Sequence, residues 1–252
     1  MEKNKSKNWL WEAGMLVVTT VLTGGCSYLY GNTLYETIRI LILTVMMMGV
    51  LVFTLEYSRV QDMFLFDNGK NLWRFMLLYG IFLAGSLLFP MLPPGGWPYL
   101  AVFVGLMLFS NRLTGICAGC SLLMITVLLG KTYTIEEFLL YFVSGMVGVL
   151  LFSCLNETFK VWIPLTVSLL MLLLCLCIRE VLMVNEALHM EMFLIPIVNM
   201  LVCAILLLVI LKVFSFSIIY RNRERYMDIN DPECPLLVEL KNFSKEEYYH
   251  AI

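Results

Sequence analysis

Residues 192–220 read MFLIPIVNMLVCAILLLVILKVFSFSIIY, an apolar run in which Lys212 is the one charged side chain. An α-helix rises about 1.5 Å per residue, so about 20 mainly apolar residues cross the ~30 Å hydrocarbon core of a bilayer. This stretch is long enough to do so. The rest of the chain has the same character: 60% of its 252 residues are hydrophobic and 14% are charged, with a mean hydropathy of +0.85. Ordinary globular domains carry roughly 25% charge. The composition therefore predicts an all-α, polytopic membrane protein. A formal net charge of -2 gives no global basic field, which argues against nucleic acid as a partner and leaves the lipid bilayer as the principal one.

Applied along the whole chain, the same ruler predicts about eight spans: Trp9 to Tyr30, Tyr35 to Tyr57, Leu72 to Leu92, Pro98 to Ser110, Leu113 to Gly130, Glu137 to Cys154, Val161 to Ile178 and Met192 to Tyr220. The fourth is short. Only Asn111-Arg112 separates it from the fifth, so the two form either a tight hairpin or one kinked segment. The organisation predicted is a tail and first helix over 1–34, a seven-helix block over 35–222, and a polar tail over 223–252.

Charge sets the orientation, because Lys and Arg in short loops stay cytoplasmic. With the N-terminus inside, that side holds Lys3, Lys5, Lys7, Arg59, Lys70, Arg74, Arg112, Lys160, Arg221, Arg223 and Arg225, against Lys131 and Arg179 outside. Both termini are expected in the cytoplasm, with the protein in the cell membrane. Thr23-Gly24-Gly25-Cys26 faintly suggests a lipoprotein cleavage site. The apolar run continues past it to Tyr30, so the first segment reads as a retained span. Pro90, Pro93, Pro94 and Pro98 predict a stiff outer turn, with Trp97 placed as an interfacial anchor.

Few residues carry chemistry. Glu12, Glu36, Arg39, Glu56, Arg74 and Lys212 lie near span ends and read as snorkelling side chains. Asn199 is the deepest strongly polar residue of the last span, where a lone amide joins helices by hydrogen bonding. Gly115-x-x-x-Gly119 and Ser144-x-x-x-Gly148 have the small-residue spacing of close helix packing, within the chain or in a homo-oligomer. Cys117 and Cys120 have C-x-x-C spacing inside an apolar run and no neighbouring ligands, so they read as packing residues rather than a zinc or redox pair. His189, among Glu180, Glu186 and Glu191, belongs to an outer loop expected to be solvated. No Gly-rich phosphate loop or nucleophile–base set can be assembled.

The tail is the specific part. Asp231-Pro232 is a helix-start pairing, and Ser244 with Glu247 has capping-box spacing that places His250 about two turns into a second helix. Asp231, Pro235-Leu236-Leu237 and then Tyr248-Tyr249-His250-Ala251 resemble the 7TM-HD family of bacterial membrane phosphohydrolases. In that family, the last membrane helix runs through such a linker into a cytoplasmic HD domain. The helix count, one plus seven, is also similar.

The chain departs from the family pattern in having a tight turn where many members carry an extracellular domain. It also has Ser244-Lys245-Glu246-Glu247 in place of an Ala-Pro-Gly-Thr run, and Tyr249 in place of a histidine. The resemblance implies a metal-dependent phosphodiesterase that uses manganese or iron to hydrolyse cyclic di-AMP, with His250 as its first metal-ligand histidine. The His-Asp dyad would lie beyond Ile252. The chain is thus expected to be the membrane anchor and sensor portion, inactive alone and bound to cyclic dinucleotide only through the missing domain. The alternatives are a small-molecule transporter or permease subunit, and a membrane scaffold.

Overall fold

The computed structural model describes residues 2–61, 63, 72–93, 95–130, 135–153, 161–183 and 193–216. The polar tail, with His250, and the loop that holds His189 lie outside the described residues. The chain divides into two compact units, Met1–Ile210 and Leu211–Ile252; of the second, only the end of the last helix is described.

Among the described residues there are eight α-helices and no strand, as the hydropathy predicts: α1 Glu2–Leu29, α2 Leu34–Val60, α3 Leu72–Leu88, α4 Tyr99–Leu108, α5 Arg112–Leu129, α6 Ile135–Ser153, α7 Trp162–Met183 and α8 Leu194–Phe214. A short 3-10 turn, Phe89–Met91, follows α3. Helix is the form that satisfies backbone N–H and C=O groups within the segment itself, which a bilayer interior demands. Six of these helices are long and apolar enough to cross a membrane. The exceptions are α1, which carries the charges of the N-terminal tail, and α4, which has ten residues.

Contacts between helix ends show which ends lie together. Ser27 at the end of α1 meets Thr37 at the start of α2, with their oxygens 2.9 Å apart. Ser58 near the end of α2 meets Thr114 in the first turn of α5 at 3.2 Å, and Arg112 donates to Ser153 O at the end of α6. Exposed aromatics follow the same alternation. Trp11, Tyr57, Trp73 and Trp162 are exposed near one end, and Tyr28 and Tyr35 near the other. Along α1 and α2 the two groups are separated by about 26 and about 33 Å of helix rise. That matches the ~30 Å hydrocarbon core with an aromatic belt at each face.

Several loop expectations are corrected. Glu36 does not snorkel: it closes a capping box, its carboxylate accepting from Thr33 N at 2.8 Å while Glu36 N donates to Thr33 Oγ1. Arg179 and Glu180 belong to α7, not to the solvated loop, because the helix runs about a turn beyond the apolar stretch. Asn111-Arg112 resolves as a true hairpin: Asn111 is extended, and its side chain caps α5 by accepting from Thr114 N at 2.7 Å.

The core is organised around α4. All ten of its residues are buried. At about 15 Å it spans only half the hydrocarbon thickness. It lies against glycine faces on both sides. A Cβ on Gly115 would stand 2.6 Å from Met107 Cα; one on Gly119 or on Gly145 would stand 2.5 Å from the Phe103 ring; one on Gly148 would be 2.5 Å from Leu100 Cδ1. Both small-residue motifs are therefore occupied inside the chain. Lipid offers apolar groups no less favourable surroundings than another helix does, so close approach through small residues is what holds α5 and α6 on α4.

Candidate functional site

The chain enters α4 through a non-helical turn, in which Gly96 N donates to Pro93 O at 3.0 Å and Tyr99 N to Trp97 O at 2.8 Å. Leu92 leaves the 3-10 turn with φ -85° and ψ 152°, and Pro98 precedes the first residue of α4. Gly95 has φ +89°, a left-handed conformation open to glycine at little cost. Non-helical backbone at membrane depth is tolerated only where protein satisfies its polar groups. Side chains from two helices, α6 and α8, do so here.

Asn199 of α8, 2% exposed, donates through Nδ2 to Gly95 O at 2.8 Å and to Trp97 O at 3.1 Å. Trp97 N donates to the hydroxyl of Tyr141 in α6 at 3.1 Å, and the indole Nε1 donates to Phe89 O at 2.8 Å. The Trp97 and Tyr141 rings stack at 5.3 Å. One turn into the bundle, the Tyr99 hydroxyl lies 3.2 Å from Ser86 Oγ, 3.0 Å from Leu122 O, and within bonding distance of Thr126 Oγ1, which itself donates to Ser86 O. Trp97 is fully buried, so it is not the interfacial anchor that its prolines suggest. The turn folds inward, and its tryptophan with it.

Buried charge brackets this core at both ends. Near the turn, Arg179 pairs with Glu180 in its own helix and with Glu137 of α6 at 3.4 Å, both carboxylates lying under 10% exposed. Glu180 Oε1 lies 3.9 Å from where a Cβ on Gly95 would sit, so the charged group adjoins the turn. At the opposite end, Arg59 bridges Glu12 of α1 at 2.8 Å and Glu56 of α2 at 2.6 Å. Glu12 has a 2% exposed side chain, and its Oε2 has no protein partner. Snorkelling therefore does not account for Glu12. A buried carboxylate in an apolar setting is sustained by its counter-charge.

Charges one turn inside two helix ends signal such pairs, but only the folded register shows which ends meet. Cys117 and Cys120 remain free thiols, half-buried on one face of α5. Chemically the arrangement is a satisfied polar lattice: it holds an irregular segment in place and presents no nucleophile beside a base.

A phosphohydrolase metal centre needs several convergent ligands. Among the described residues no group of three or more His, Cys, Asp or Glu side chains converges to hold an ion. His250 is a single donor outside them. The described residues do not fit a complete metal site, and no catalytic step is assigned to them. No family model, curated protein or solved structure matches the chain.

Proposed function

We propose that the chain is the membrane anchor and sensor portion of an HD-type, metal-dependent phosphohydrolase acting on cyclic dinucleotides, with both termini in the cytoplasm. The observation that carries this reading is the spacing of Asp231, Pro235-Leu236-Leu237 and Tyr248-Tyr249-His250 directly after the last apolar helix. The multi-pass helical architecture and the excess of Lys and Arg on one side agree with it. In this reading the helices hold the tail at the membrane surface, and His250 would be one imidazole ligand of a metal whose Lewis acidity would serve phosphodiester hydrolysis.

The test is hydrolysis of cyclic di-AMP, with manganese or iron added, by protein expressed from the native reading frame through whatever follows Ile252. The reading expects activity that His250→Ala largely removes, and none from the 252-residue chain alone. Undiminished activity in the His250→Ala protein, or metal-dependent hydrolysis by the 252-residue chain, contradicts it.

One structural observation favours a second reading as a small-molecule transporter. Gly95, Trp97 and Pro98 lie buried on non-helical backbone between α3 and α4, and transporters build substrate sites at such breaks. Substrate accumulation in proteoliposomes, abolished by Asn199→Leu, distinguishes that reading.

A further inference from the structure

Helix α8 is the last described element before the tail, and within residues 194–210 its attachment to the bundle is narrow. Close backbone approach joins α4 to α5 and α6, α6 to α7, and α2 to α1 and α5; α8 belongs to none of the close pairs. Most of its apolar side chains are exposed, including Ile197, Leu201, Ile205 and Leu208. Its buried face carries Asn199, which hydrogen-bonds to Gly95 O and Trp97 O, and then Cys203, Leu207 and Ile210, with Cys203 beside the backbone of Leu100 and Ala101 in α4. Cys203, one turn on, contacts Asn199 Oδ1 at 3.6 Å and steadies the amide from behind.

These two kinds of contact respond differently to displacement. Apolar contact is non-directional, so a helix held only by it shifts at small cost when lipid can replace the lost neighbour. A two-pronged bond to fixed carbonyls has one register, and lipid supplies no substitute donor. The carbonyls belong to a segment also supported by Tyr141 on Trp97 N and by Trp97 Nε1 on Phe89 O, with the Arg179–Glu180 pair beside Gly95.

We propose that Asn199 is a positioning residue that couples the turn at Gly95 and Trp97 to α8. A displacement of the turn then shifts α8 and, through the continuous chain, the tail that follows. This rests on the anchor-and-sensor reading for its purpose, but its test uses no hydrolysis, so the two can fail separately.

Cys234 in the tail supplies the readout. Its rate of reaction with a water-soluble maleimide is followed peptide by peptide by mass spectrometry on the whole chain in micelles. Tyr141→Phe removes the acceptor of Trp97 N and loosens the turn without adding an atom against α8. In protein retaining Asn199, Tyr141→Phe is expected to change the Cys234 rate by about fivefold, the low end of coupling between sites. In the Asn199→Leu background the same change is expected to have no effect, and Asn199→Gln, which keeps the donor, restores part of the response. Should Asn199→Leu fail to fold by circular dichroism, Asn199→Ser replaces it. An equal effect of Tyr141→Phe with and without the Asn199 amide, or no effect in either, overturns the proposal, because a merely stabilising contact gives additive changes.

Discussion

Helices α4 and α8 are both strongly apolar, yet they occupy opposite environments. Every residue of α4 is buried. In α8 the window most suited to crossing a membrane is 33% buried. Hydrophobicity does not separate them, because a bilayer asks for apolar side chains on lipid-facing and buried surfaces alike. The neighbours separate them. α5 and α6 bring Gly115, Gly119, Gly145 and Gly148 against α4 and let backbones approach, whereas α8 meets the bundle through the Asn199 amide and a narrow strip of buried side chains, Cys203, Leu207 and Ile210. In this protein, burial follows from glycine on the facing helix rather than from the apolar content of the helix itself.

The sharpest way to break that contrast is to put a methyl group where a backbone already stands. Gly115→Ala places its Cβ 2.6 Å from Met107 Cα, which cannot rotate away. A loss of about 3 kcal/mol is expected, at the upper end of overpacking effects. Gly49→Ala, with nothing within 4 Å of the new atom, is expected to be neutral or to gain about 0.5 kcal/mol from helix propensity. Reversible unfolding in mixed micelles compares the two. Equal effects would mean that α5 does not pack on α4 through Gly115.

A smaller change tests the rim. Arg59→Met leaves Glu12 buried beside Glu56 with its guanidinium gone. A cost of about 2 kcal/mol is expected, somewhat below that of breaking a fully buried pair because Arg59 is 20% exposed. Adding Glu12→Leu should recover most of it, since the uncompensated charge is then gone. If the double variant is as unstable as the single one, the loss lies in the packing of the Arg59 stem and not in its charge.

The fold was legible in the sequence wherever composition decides it. All eight apolar runs are helices, most with ends within a few residues of the expected ones. The glycine spacings read as packing motifs and are that. Asn199 read as a joining amide and is one, but its partners were hidden, because the carbonyls of Gly95 and Trp97 become free only where the chain leaves helical geometry before α4. Trp97 was misplaced for the same reason: prolines mark a reversal, but not whether it turns toward lipid or inward. The fourth run, too short to cross a membrane, held the clue. Glu12, Glu137 and Glu180 are charges near the ends of apolar runs, and their pairing depends on helix register, which a single sequence does not display.

Burial of Trp97 and α4 in an interior wrapped by helices can be read directly from tryptophan. Variants retaining a single tryptophan, either Trp97 or Trp73, are reconstituted in bilayers containing brominated lipid, which quenches indoles that touch acyl chains. Trp73 is 60% exposed and Trp97 is 0% exposed. The account predicts strong quenching of Trp73 and almost none of Trp97, and quenching of Trp97 to the same extent as Trp73 would contradict it.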